Sequence, residues 1–302
     1  MNESYFLNAI EANPCEPTPR LIYADWLDER GDPRGELLRI HEELRRVDVS
    51  NRSAKETTVH QLLNDDVEPL RITHTNLLGM EFVLIFPSEF ESTATHYRGK
   101  YQVDTPFYLG STVVTQKVWS AIMGSAPWKK EIYSEQGDSY PATYVRWDDA
   151  TEFCKALSYH PTRDGKKWDY SLPSSIQWEY ACRGGTTTRY SFGDDVLLLN
   201  EYAWYEENAL HIGDSYPHIV QAQKPNPWGL FDMHGNVWEW CRDVSGLPER
   251  FPVDPATHYL VRGAGWTNRR EECHSGACFD NPHTFKGHSH GFRVLATFSE
   301  PS

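Results

Sequence analysis

Asp232-Met-His-Gly-Asn-Val-Trp-Glu-Trp-Cys241 brings two tryptophans, two carboxylates, an Asn and a Gly together in one short run. Trp238 and Trp240 alternate with Val237, Glu239 and Cys241, a period of two that predicts a short buried strand. Gly235-Asn236 ahead of it is a tight-turn signal, so the strand leaves a turn. Asp232 and Glu239 bracket that turn, which leaves two uses for them open. The carboxylates, the Asn amide and the turn carbonyls could converge on a hard cation such as calcium, which takes about six to eight oxygens. Alternatively, Asp232 caps the turn and Glu239 sits in an ion pair.

The rest of the chain is bounded by its composition. Across 302 residues, 39% hydrophobic and 13% aromatic content is enough for one sizeable core with a small appended unit. The 29 basic and 43 acidic residues leave a formal net charge of -14, which argues against a nucleic-acid partner because phosphate neutralisation supplies most non-specific affinity. The same charge repels anionic membranes. No long apolar run is present, and Met1-Asn-Glu-Ser-Tyr5 lacks the basic start and apolar centre of a signal peptide, so a cytoplasmic protein is expected. Cys15, Cys154, Cys182, Cys241, Cys273 and Cys278 are scattered without a dense disulfide spacing, which fits reduced thiols.

Residues 1–47 read as helices. Phe6, Leu7 and Ile10 share a face, Leu21 to Leu27 make a second apolar patch ended by Gly31 and Pro33, and Leu37, Leu38, His41 and Leu44 recur at helical spacing. Residues 48–76 are polar, with few large apolar side chains before Leu62, and read as a linker. The composition changes at Gly79-Met-Glu-Phe-Val-Leu-Ile-Phe86, where β-formers open a second domain spanning 77–298. Further strands are expected at Phe107–Val114 and Gly291–Ala296. Helices are expected at Thr115–Met123, at Asp148–Leu157 with Asp148 as cap, and after Ser174 or Ser175. Phe192–Trp228 is rich in turn residues and aromatics with weak periodicity, predicting ordered but irregular structure.

Together the motifs resemble the formylglycine-generating enzyme, or sulfatase-modifying factor, family. The residues that carry the resemblance are GMEFVLI from Gly79, FYLGSTVVTQKVWSAIMG from Phe107, VRWDDATEFCKALS from Val145 and LPSSIQWEYACRGGTTTRYSFGDD from Leu172. KPNPWGLFDMHGNVWEWC from Lys224, VRGAGW from Val261 and GFRVLA from Gly291 complete the set. The run Thr18–Glu36 resembles the small repeat-companion module of bacterial, especially planctomycete, multidomain proteins. The family resemblance implies an α+β, C-type-lectin-like fold rich in irregular structure, with a small N-terminal helical unit attached. It also implies a structural calcium on Asp232, the carbonyls of Gly235 and Val237, and Glu239.

Catalytic members of the family hold copper(I) between two cysteines and oxidise a sulfatase cysteine to formylglycine with molecular oxygen. Soft thiolates suit that metal. Those cysteines lie two and seven residues past the position that Trp266 occupies, which gives Asn268 and Cys273, so the first ligand is missing. Gly265 replaces a Ser, and Ser289 stands where an active-site Asn is expected. A shifted register would pair Cys273 with Cys278, or make a zinc-like group of them with His274, His283, His288 and His290. Two functions are implied. The first is a diverged, non-catalytic lectin-like platform that binds a protein or peptide. The second is a copper-dependent oxidoreductase with Cys273 and Cys278 as thiolate ligands.

Overall fold

The structure is a computed structural model that describes residues 2–47, 51–94, 97–162, 165–245 and 258–299. Three short helices open the chain: α1 (Glu3–Ala12), α2 (Thr18–Asp28) and α3 (Arg34–Leu44). Phe6 stacks on Tyr23 at 5.6 Å, and Leu27 and Leu38 close the same small core. Arg20 is buried in an ion pair with Glu42 (2.6 Å), and its guanidinium also lies 4.3 Å from the Phe86 ring centre, which fastens the helices to the larger unit.

A fourth helix, α4 (Ser53–Asn64), occupies much of the stretch that reads as a linker, whose first residues 48–50 lie outside the described residues. It offers only Val59, Leu62 and Leu63 to an apolar cluster with α3, too little for a periodic signal. Polar side chains fasten it instead. Glu56 is buried and accepts the backbone N–H (3.0 Å) and hydroxyl (2.9 Å) of Thr187, while Arg52 donates to the Gly185 carbonyl.

The larger unit is organised by a five-stranded antiparallel sheet. Its strands are β1 (Thr73–Thr75), β2 (Glu81–Ile85), β5 (Phe107–Gly110), β6 (Lys167–Ser171) and β11 (Leu295–Ser299), in the order β1-β2-β5-β11-β6. Both faces are covered, and the period of two sorts the side chains between them. Phe82, Leu84 and Tyr108 pack toward α1 and toward α6 (Trp147–Ser158), whereas Val83, Ile85, Phe107 and Leu109 pack toward α7 (Ser175–Arg183). A hairpin of β3 (Ser88–Ser92) and β4 (Gly99–Val103) lies beside α7. The second main sheet, in the order β10-β7-β8-β9, holds β7 (Trp238–Val244), β8 (His258–Arg262), β9 (Cys278–Pro282) and β10 (His290–Gly291).

Local signals act as expected at most helix ends. Thr115 accepts from Val118 at the start of α5 (Gln116–Met123), and Gly124 ends it at φ +61°. Ser174 Oγ accepts the Gln177 N–H (3.1 Å) while Gln177 accepts the Ser174 N–H (2.9 Å), a reciprocal cap for α7. At α6 the expected cap is displaced: Asp149 accepts the Arg146 N–H (3.2 Å), and Asp148 is turned to His283 at 2.6 Å. The expected closing strand Gly291–Ala296 divides into β10 and β11, which belong to different sheets, with Arg293 at the crossing. Phe192–Trp228 contains only short 3-10 turns among its regular elements, as its composition predicts.

Candidate functional site

The turn that opens the motif holds together segments distant in sequence. Asp232 and Asn236 sit at positive φ (+58° and +68°), and a side chain on Gly235 would place its Cβ 2.3 Å from the Trp204 carbonyl oxygen. Asn236 uses every backbone and amide group it has. Its N–H donates to the Trp204 carbonyl (2.8 Å), and its own carbonyl accepts from Trp266 (2.9 Å). Its side chain accepts the His218 N–H (2.9 Å) and donates to the His218 carbonyl (3.1 Å). Trp238 N–H donates to Ser289 (2.7 Å), which brings in the segment before β10.

Four loops therefore meet on one face. Val220 bonds Ser139 (3.0 Å), Glu206 bonds Asn268 (2.9 Å) and Tyr144 bonds Gly287 (3.0 Å), all through the backbone. On this face the Trp204 ring stacks on His218 at 3.7 Å, while Trp266 lies 5.2 Å from His288 and 6.2 Å from Tyr133. Trp266 Nε1 and His288 Nδ1 are buried without a hydrogen-bond partner among the described residues. Burial also holds the His288 pKa below the ordinary histidine value, so its ring is neutral at pH 7. Ile132, Tyr133, Ile212 and Ile219 stand exposed on the same loops.

Beneath the face lie two buried charge networks, joined through adjacent residues of α7. Trp178 Nε1 donates to Glu239 Oε2 (2.7 Å), and Arg293 grips both oxygens of Glu239 (2.9 and 3.0 Å). The same guanidinium donates to the carbonyls of Gly110, Ser111 and Phe231 (2.8, 2.9 and 2.7 Å). One residue along α7, Glu179 receives Arg183 (2.8 Å), Arg262 (3.1 Å), Ser92 (2.7 Å) and the Thr93 N–H (3.0 Å). Burial pushes the Glu179 carboxyl up, but the two guanidiniums outweigh it and hold the group below its ordinary value. Glu239 and Arg262 are cross-strand partners, so α7 spans the β7–β8 ladder and joins the two networks. Sequence reading passed over Arg262 and Arg293. Its available signal was a lone Arg in each of two otherwise apolar runs, which requires a buried acid.

A family profile described as the sulfatase-modifying factor enzyme 1-like domain matches residues 72–298, most of the chain and all of the sheet core. The chain belongs to the sulfatase-modifying factor family. The helical module precedes the matched region. A chaperone protein, LppX of Paenibacillus barcinonensis, is 30% identical over 229 residues, 62% of this chain and 79% of that protein. The formylglycine-generating enzyme of Streptomyces coelicolor is 33% identical over 156 residues, 46% of this chain and 45% of that enzyme. The chain thus spans about half the length of the formylglycine-generating enzymes it matches. Among solved structures, Treponema denticola variable protein 1 superposes with a TM-score of 0.60 at 26% identity, over 76% of this chain and 99% of that one. PvdO from Pseudomonas aeruginosa gives 0.59 at 19% identity over 74% and 97%, a likeness of fold. The architecture is the mixed helix-and-sheet, C-type-lectin-like fold of this family.

The residues implied as sulfatase-modifying-factor metal ligands have other partners. Asn268, at the first thiolate position, accepts from Trp238 Nε1 (2.9 Å) and the Gly265 N–H (2.9 Å) and donates to Glu272 (3.1 Å). Cys273 is fully buried with Tyr190, Phe192 and Tyr205, and its thiol donates to the Arg269 carbonyl (3.5 Å). Cys278 packs in a different cluster, with Trp178, Cys241 and Leu260. Burial pushes both thiols above the ordinary cysteine range, away from the thiolate that copper(I) needs. These side chains do not fit a two-thiolate copper centre. His283 turns to Asp148 and His290 to Asn281, and no group of three or more His, Cys, Asp or Glu is placed to hold a metal ion among the described residues.

The calcium set fares little better. Both oxygens of Glu239 are taken by Arg293 and Trp178, and the Gly235 carbonyl accepts the Val237 N–H (2.9 Å). Asp232 Oδ2 accepts the Gln221 N–H (3.1 Å), and Asp232 Oδ1 is buried without a partner among the described residues. The Arg293 guanidinium thus already supplies Glu239 with the positive charge that a calcium ion would bring. Melting temperatures measured with EDTA and with millimolar calcium are accordingly expected to agree. A native-state ligand at a hundred times its Kd would add roughly 2.7 kcal/mol, so a rise of several degrees that disappears in Asp232→Ala would restore the calcium site.

Proposed function

We propose that this domain is a diverged, non-catalytic member of its family that serves as a binding platform for a protein or peptide. The observation that carries this reading is the hydrogen bonding of Asn268: a hard amide, spent on Trp238, Gly265 and Glu272, stands where the chemistry needs a soft thiolate. The docking face is the one assembled by Asn236. Its exposed Ile132, Tyr133, Ile212 and Ile219 offer apolar area, and the unpartnered ring nitrogens of Trp266 and His288 offer directional hydrogen bonding. A relative named as a chaperone protein supports a role in binding polypeptide. Six free cysteines, scattered without a dense disulfide spacing, support a reducing, cytoplasmic setting.

The test against the oxidase reading is direct. Copper-loaded protein incubated under air with a Cys-x-Pro-x-Arg peptide is expected to leave the thiol intact by mass spectrometry and to lose its copper on dialysis. Conversion of the thiol to an aldehyde, abolished by Cys273→Ser, would establish the copper-dependent oxidoreductase in place of the platform.

A further inference from the structure

A cleft of about 550 Å3 opens where the helical module meets the first strand of the sheet, within the roughly 300–1,000 Å3 range of ligand pockets. Leu7 of α1 and Pro225 and Phe231, just ahead of the motif, supply its apolar wall, while Glu68, Arg71 and Thr73 supply polar groups. The charges are not equally available. Arg34, also on the wall, is held by Asp32 (2.6 Å) and Glu3 (2.9 Å), and Arg71 is held by Glu81 and lies 6.0 Å from the Phe231 ring centre. Glu68 has no hydrogen bond or ion pair among the described residues. Of the two carboxylates on the wall, Glu3 is held by Arg34 and Glu68 is exposed, so the charge left for a ligand is that of Glu68, which favours a cation.

The strand beside it supplies a second, independent feature. β1 is an edge strand, and its ladder to β2 uses Ile72, whose carbonyl accepts from Leu84 (2.8 Å), and Asn76, whose N–H donates to Met80 (3.1 Å). In an antiparallel ladder, alternate residues face the partner, so the backbone groups of Thr73 and Thr75 point away from β2. Both residues are exposed, and neither has a backbone partner on that side among the described residues. An extended chain laid there would gain main-chain hydrogen bonds.

We propose that this cleft receives the amino-terminal end of an extended peptide. The α-ammonium meets Glu68, the first side chain is apolar and rests on Phe231 and Pro225, and the backbone runs along Thr73. The site is separate from the Asn236 face and does not depend on that reading. The probe is the peptide Leu-Thr-Val-Thr-Val, labelled at its carboxyl end, titrated with the full chain by fluorescence anisotropy alongside its N-acetylated form. Acetylation removes the charge and, with Glu68 exposed, is expected to weaken binding about two- to fivefold. Glu68→Gln should produce the same loss. Thr73→Pro should also weaken binding, because it removes an N–H that faces away from β2 and leaves the β1–β2 ladder in place; an unchanged melting temperature checks this. Equal affinity for the acetylated peptide, wild-type affinity in both variants, or no binding of the free peptide at about 1 mM would each overturn the proposal.

Discussion

Replacing Arg293 by Met is expected to destabilise the protein by about 3–5 kcal/mol, the usual cost of stranding one member of a buried ion pair. Glu239 would be left fully buried with Trp178 as its one side-chain donor among the described residues, and the carbonyls of Gly110, Ser111 and Phe231 would lose the guanidinium, Ser111 keeping the Phe231 N–H (2.9 Å). The measurement is a urea midpoint at pH 7, with an unchanged m-value as evidence that the native state is still reached. The double variant Glu239→Gln, Arg293→Met should recover part of the loss, because it also removes the uncompensated charge. A double variant no more stable than Arg293→Met alone would show that the carbonyl contacts, and not the ion pair, carry the effect.

Acid should be nearly as damaging. Burial lowers the pKa of His41 to about 3, His234 to about 4 and His290 to about 3, whereas each titrates near 6.5 in the unfolded chain. Below pH 6.5 the unfolded rings take protons that the folded rings refuse. Stability is therefore fully present above 6.5 and is lost as pH falls, by about 1.4 kcal/mol per unit for each group. Asp232 works in the opposite sense. Burial raises it to about 6 from 3.8, so protonation of the folded state restores about 1 kcal/mol as pH falls through 6. The net expectation is a loss of about 3 kcal/mol between pH 7 and pH 5.5, and a flat profile across that interval would contradict the assigned neutral histidines.

The parts of the fold with a local signal were legible in the sequence. Gly124 and Ser174 ended and began helices, the alternation after Asn236 marked β7, and the length of weak periodicity from Phe192 to Trp228 matched its 3-10 turns. The helix α4 was not legible, because Glu56 and Arg52 anchor it to Thr187 and Gly185, contacts with partners more than a hundred residues away that leave no periodic trace. The same limit applies to the candidate site. Proximity of Asp232 and Glu239 in sequence left a shared cation or an ion pair open, and the ion pair that Glu239 makes is with Arg293, brought in by the crossing between β10 and β11. The role of Asn236 was equally hidden, since Trp204, His218 and Trp266 come from segments whose backbone positions only the folded chain defines.

The place of β11 in the large sheet bears on how the protein is made. This strand is not an edge: it fills the gap between β5 and β6, both finished long before it leaves the ribosome. At about 5–20 residues per second, the stretch from Gly110 to Leu295 takes on the order of ten seconds or more to translate. Through that interval β5 waits with one side unpaired, and β6, once made, waits for the β11 ladder that the sheet gives it, both open to the wrong neighbour. A ribosome that stalls or terminates shortly before Leu295 would release not a frayed domain but one missing its centre, a product for the cell's degradation machinery.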